Sequence, residues 1–105
     1  MYYCGDRSFA FNNRRLAWLV QQGLVRNLRQ AGYETVDRGT KDEGFLGHFA
    51  LLGPHMPRCS RMPGILGEAL FVSNDTDAAA LRRADIREAI ARGSFEGIKA
   101  YFGDD

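Results

Sequence analysis

Apolar residues recur at helical spacing first between residues 14 and 32. Leu16, Val20, Leu24 and Leu28 fall on one arc, with Ala17 and Ala31 beside them. That four-residue recurrence predicts an amphipathic helix with an ordinary core stripe. Asn12 and Asn13 offer N-caps, Arg29 suits the last turn, and Gly32 marks the end. A second stripe runs along the same helix. Arg15, Trp18, Gln22, Val25 and Arg29 follow spacings of three and four, with Arg26 flanking them. Tryptophan thus sits on the polar side, among arginines rather than leucines.

The remaining pattern alternates between short apolar runs and turn residues. The opening YYC-GD-RSFAF reads as a hairpin turning at Gly5-Asp6. YETVD (33–37), FLGHFALL (45–52) and ALFVS (69–73) read as strands, the second of them apolar on both alternations. The segment 53–64 holds all three prolines and reads as a long loop. Asn74, Asp75 or Thr76 caps a helix over about 77–92 that ends at Gly93. Ser94 caps a last short helix with Phe95, Ile98 and Phe102 on one side, and Asp104-Asp105 form a solvated tail. The predicted fold is one α+β domain over residues 1–105. It has a small, mostly antiparallel sheet of three to five strands, with about three helices packed mainly on one face.

Composition changes that picture little. The chain has 105 residues, 45% of them hydrophobic and 26% charged, as a globular domain does. Its formal net charge is +1, so no global field draws it to nucleic acid or membrane. Twelve of the 14 basic residues are arginine. The two cysteines, Cys4 and Cys59, do not make a disulfide framework. Residues 1–9 carry no basic region leading into an apolar run, and no apolar run approaches transmembrane length. The expectation is a cytoplasmic protein without a membrane partner.

Candidate chemistry is sparse. No Walker loop, dinucleotide fingerprint or G-x-S-x-G elbow occurs, and no cofactor is implied. The metal-like residues are His48, His55 and Cys59, with Cys4 distant in sequence; His55-x-x-x-Cys59 is one loose pair where a zinc site usually shows two. The site residues are therefore drawn from the helix: Arg15, Trp18, Gln22, Val25, Arg26 and Arg29. Tryptophan and arginine dominate binding hot spots because they bury much area and fix it with directional contacts. The sequence reads as a small non-catalytic interaction protein of the inhibitor or adaptor type, such as phages and mobile elements carry. Its first partner would be a protein, a second copy of the chain included. The alternatives are a nucleic-acid-binding regulator using the same arginines, and a small enzyme or metal-dependent domain around His48, His55 and Cys59. The reading leans away from an enzyme.

Overall fold

The computed structural model describes residues 1–49 and 51–103. Its elements, in order, are β1 (Tyr2–Tyr3), α1 (Ala10–Gln30), β2 (Lys41–Asp42), a single 3-10 turn (Glu43–Phe45), α2 (Asp75–Leu81) and α3 (Ala84–Tyr101). The expected sheet of three to five antiparallel strands is absent among the described residues. There are three helices and one two-stranded sheet, in which β1 pairs with β2 in parallel. One antiparallel bridge, Tyr2 to Leu66, flanks it on the other side.

The strand-like runs are pulled out of extended pairing by local hydrogen bonds. The Asp37 side chain accepts from the amide of Gly39, which adopts a positive φ of 66°. That closes a tight turn right after 33–37. Asp42 accepts from the amide of Gly44 and so caps the 3-10 turn where 45–52 was expected to run straight. Gly47 then turns at φ 88°, and the amides of Leu52 and Gly53 both bond back to the carbonyl of Phe49. Ala50 and the side chain of Phe45, both part of that expected strand, lie outside the described residues, as does the expected tail at Asp104-Asp105. In 69–73 the amide of Phe71 donates to the Asp77 carboxylate rather than to a ladder partner. The opening hairpin is also replaced: residues 5–9 lead straight into α1, and β1 finds its partner some forty residues later.

The core stripe on α1 is as read. Val20, Leu24 and Leu28 are buried, and Leu16 packs partly against them. The helix, however, starts earlier than the two asparagines. Phe9 occupies the N-cap position and makes no side-chain cap bond. Asn13 lies inside the helix and is spent on tertiary contacts: its amide nitrogen donates to the Cys4 carbonyl at 3.0 Å, and its oxygen accepts from the Gly64 amide at 2.9 Å. Over 21 residues α1 extends roughly 31 Å at 1.5 Å per residue.

The C-terminal helices break in a different place from the expected one. Asn74 does cap α2, accepting from the Asp77 amide at 2.9 Å. The chain then interrupts at Arg82-Arg83, and α3 runs unbroken through Gly93 and Ser94. Ser94 bonds back to the Ile90 carbonyl within the same helix. Gly93 is buried because α3 lies against α1 there; its partner is Gly23, and Gly97 faces Val20 in the same way. Glycine in mid-helix weakens helix propensity by about 1 kcal/mol, but here it admits a second backbone. Two apolar clusters fill the space around this crossing. One joins Met1, Ala17, Val20 and Leu24; the other joins Leu28, Ala80, Ile86 and Ala89, and Ile90 touches both.

The loop 53–64 is tied to the rest of the fold at Ser60 and Gly64, while His55, Pro57, Arg58, Arg61 and Met62 stay exposed. The Arg7 guanidinium donates to the Leu52 carbonyl at 2.7 Å and to the Ser60 carbonyl, and stacks 4.6 Å from the Phe9 ring. Leu52 itself is buried. No helix of the described residues is long and apolar enough to cross a membrane.

Candidate functional site

Two features of the fold carry polar chemistry, and both grow from the β1–β2 pair. The first is a cleft of about 480 Å³ bounded by Leu24, Leu28, Tyr33, Glu68, Phe71 and Asp77 among others. Its floor is the apolar arc of α1, and its rim carries Glu34, Arg38, Lys41 and Glu68. Three carboxylates border it, and they differ in what holds them. Asp77 is committed to structure, accepting from the Tyr33 hydroxyl and, at 3.0 Å, from the Phe71 amide. That contact with Asp77 holds the Tyr33 phenol above its usual value. Glu34 lies on the irregular stretch after α1, between Tyr33, whose amide donates to the Leu28 carbonyl, and Thr35, whose carbonyl accepts from Arg29. Glu68 is different: Leu66 is tied to Tyr2 by two backbone hydrogen bonds of 2.8 and 2.9 Å, and Ala69 and Leu70 pack on the core clusters. Backbone anchored on both sides thus presents Glu68 at the rim of the cleft.

The second feature lies past the other end of the strand pair. In parallel register Tyr3 faces Asp42, so Cys4 and Glu43 follow side by side. The turn after β2 brings His48 back to them. His48 Nδ1 stands 2.8 Å from Glu43 Oε2 and 3.8 Å from Cys4 Sγ, and His48 Nε2 is 3.3 Å from Asp6 Oδ2. Cys4 and Glu43 are wholly buried, while the His48 side chain is 31% exposed. Burial pushes the Cys4 thiol above its ordinary value, opposed by the Asp6 backbone and reinforced by Glu43. Asp42 secures the loop by accepting from the amides of Gly5 and Gly44; a side chain at Gly5 would collide with that carboxylate.

The metal-like set read from the sequence is therefore regrouped. His48 joins Cys4 and Glu43, among the described residues, and not His55 or Cys59. His55 is exposed, and Cys59 points at the Pro54 carbonyl. Glu43 and Glu68 escaped sequence reasoning. A single acidic residue in a turn or an apolar run carries no spacing signal, and only the parallel β1–β2 register and the Tyr2–Leu66 bridge give these two their settings.

The helix residues singled out as a partner surface are distributed over several roles. Trp18 is 56% exposed, whereas Val25 is buried at 7%. Arg15 donates to the carbonyls of Tyr101 and Ala100 at the C-terminus of α3, with its guanidinium 5.0 Å from the Tyr101 ring. Arg26 pairs with Glu96 of α3 at 2.8 Å, and Arg29 donates to the Thr35 carbonyl. Gln22 is half-buried and borders, with Val25, Arg26 and Arg29, a shallow depression on α1. The arginines thus spend their donors on joining α1 to its neighbours.

Comparison with known proteins gives the chemistry a context. Residues 1–100 match the family described as N-acetylmuramoyl-L-alanine amidase. The chain is 31% identical over 93 residues to N-acetylmuramoyl-L-alanine amidase LytC of Bacillus subtilis (strain 168), covering 89% of this chain and 16% of that protein. It is 32% identical over 91 residues to the uncharacterized protein YqiI of the same organism, covering 87% of this chain and 37% of that one. The chain therefore spans well under half the length of these relatives. No solved structure matches it. These matches overturn the expectation of a non-catalytic inhibitor, adaptor or nucleic-acid regulator, which rested on the Arg/Trp face of α1 and on the want of a local catalytic motif. The chain belongs to the N-acetylmuramoyl-L-alanine amidase family.

Proposed function

We propose that this chain forms part of a cell-wall amidase, that its cleft takes the muramoyl-peptide, and that Glu68 handles the proton. The bond in question joins N-acetylmuramic acid to L-alanine. Its hydrolysis needs a base to activate water, an acid to release the amine, and positive charge near the developing oxyanion. A carboxylate serves the first two tasks in turn. Arg38 and Lys41 on the same rim suit the third, and they also suit an acidic peptide stem.

The observation that carries this reading is the anchoring of Glu68. Of the three carboxylates, Asp77 is consumed by Tyr33 and Phe71, and Glu34 lies on the irregular stretch just after α1, outside any strand or bridge. Glu68 is held on both sides by the Leu66 bridge and by Ala69 and Leu70, while its own side chain stays exposed. Reactive groups work best on such rigid supports.

The test is amine release from purified cell wall by the full-length protein carrying Glu68→Gln or Glu34→Gln. General acid–base groups contribute about 100- to 10,000-fold, so Glu68→Gln should lose at least about 100-fold with an unchanged melting temperature. Glu34→Gln should stay within a few-fold. Retained activity in Glu68→Gln, or a large loss in Glu34→Gln alone, overturns the assignment.

A further inference from the structure

We propose that Cys4, Glu43 and His48 bind one divalent transition-metal ion of the zinc class, at a site apart from the Glu68 cleft. Three donor atoms of different kinds converge there: a thiol sulfur, a carboxylate oxygen and an imidazole nitrogen. All lie within 4.8 Å of one another. This mixture suits a borderline ion such as zinc rather than magnesium or calcium, which take oxygen ligands.

The spacing is close to what an ion needs. Zinc holds sulfur at about 2.3 Å and nitrogen or carboxylate oxygen at about 2.0–2.2 Å, so a tetrahedral site sets S and N roughly 3.6 Å apart and N and O roughly 3.4 Å apart. Cys4 Sγ and His48 Nδ1 are already 3.8 Å apart. Glu43 Oε2 and His48 Nδ1 are at 2.8 Å, so they need to part by only about 0.6 Å to reach that tetrahedral spacing.

Two further features point to a ligand. Glu43 is wholly buried, and its second oxygen, Oε1, has no hydrogen-bond partner among the described residues. A wholly buried carboxylate with an unsatisfied oxygen is costly, and the positive charge of a cation in the cluster would offset that cost. His48 is also oriented as metal-bound histidines are. Its Nδ1 faces the donors, while Nε2 faces the carboxylate of Asp6 at 3.3 Å. Such a carboxylate fixes the tautomer and the ring plane of a ligating histidine. The partial exposure of His48 leaves a way in from solvent. The ion would fasten the end of β1 to the turn after β2, beside the two-residue parallel pairing of these strands.

The test loads the reduced, chelator-treated protein with Zn²⁺ and, separately, with Co²⁺. Expected are one equivalent of zinc by elemental analysis, a thiolate-to-cobalt charge-transfer band, and a melting temperature that rises with free zinc concentration. Cys4→Ser should abolish the band. His48→Gln, at a part-exposed position, keeps the proposal testable should Cys4→Ser fail to fold, and should remove the thermal shift. Asp6→Asn should weaken affinity about 10- to 100-fold, as loss of an orienting partner does. Cys59→Ser and His55→Gln should change nothing. The proposal is overturned if the intact protein takes up no stoichiometric zinc, if His48→Gln retains the full thermal shift, or if Cys59→Ser or His55→Gln abolishes the binding.

Discussion

Gly23 of α1 and Gly93 of α3 meet backbone to backbone, close enough that a Cβ on Gly93 would lie 2.6 Å from the Gly23 carbonyl oxygen and 2.9 Å from the Leu24 Cα. The obstacle is main chain on both sides, so no rotamer change relieves it. Alanine at either position should therefore destabilise the protein by about 2 kcal/mol, even though alanine is the better helix former by about 1 kcal/mol. Urea unfolding should show a lower midpoint with an unchanged slope. A midpoint at or above that of the parent for both variants would contradict the close crossing.

Asn13 ties three separate segments together. Its side chain satisfies the carbonyl of Cys4 and the amide of Gly64 while being 98% removed from solvent, at 2% exposure. Asn13→Ala leaves both backbone groups without that partner, at about 1–3 kcal/mol each. The expected loss is about 2–4 kcal/mol, read from thermal or denaturant unfolding. A cost below about 0.5 kcal/mol would mean that water replaces the side chain at both ends.

Two contacts contribute to the way stability depends on pH. Arg26, and then Asn27, hold the Glu96 carboxyl below its usual value of 4.5. A depressed carboxyl stabilises the fold above that value, and the contribution fades as pH falls through the lower folded value. The Tyr33 phenol is held above its usual 10.0 by Asp77, so its contribution is complete below pH 10.0 and fades as pH rises through the raised value. Glu96→Gln should flatten the acid limb of a stability–pH profile and Tyr33→Phe the alkaline limb. Either variant leaving its limb unchanged would show that its contact contributes nothing to folding. The Glu96 effect should shrink in high salt, since the Arg26–Glu96 pair is largely exposed.

Helix periodicity made α1 readable. Leu16, Val20, Leu24 and Leu28 recur at a spacing that only a helix aligns, and the last three of them are buried. Strand content is not legible in the same way, because β-propensity reports fit to a half-buried pleat, not pairing. Phe71 has the side chain of a strand residue, yet its amide goes to Asp77. Gly93 reads in the sequence as a stop because glycine commonly ends helices; its role in the fold is visible only once Gly23 is placed opposite. The candidate site was the least legible part. Cys4, Glu43 and His48 span 45 positions and share no motif, and what unites them is the parallel register of β1 and β2.

The packing of α3 on α1 also governs how the protein is made. Residues 16–28 leave the ribosome with their leucine face bare, and the glycines that dock against them come some seventy positions later. At roughly 5–20 residues per second the nascent chain waits several seconds for its cover. In that interval the exposed ridge is a target for chaperones or for a neighbouring nascent chain, and the yield of soluble protein becomes a matter of translation speed as much as of final stability.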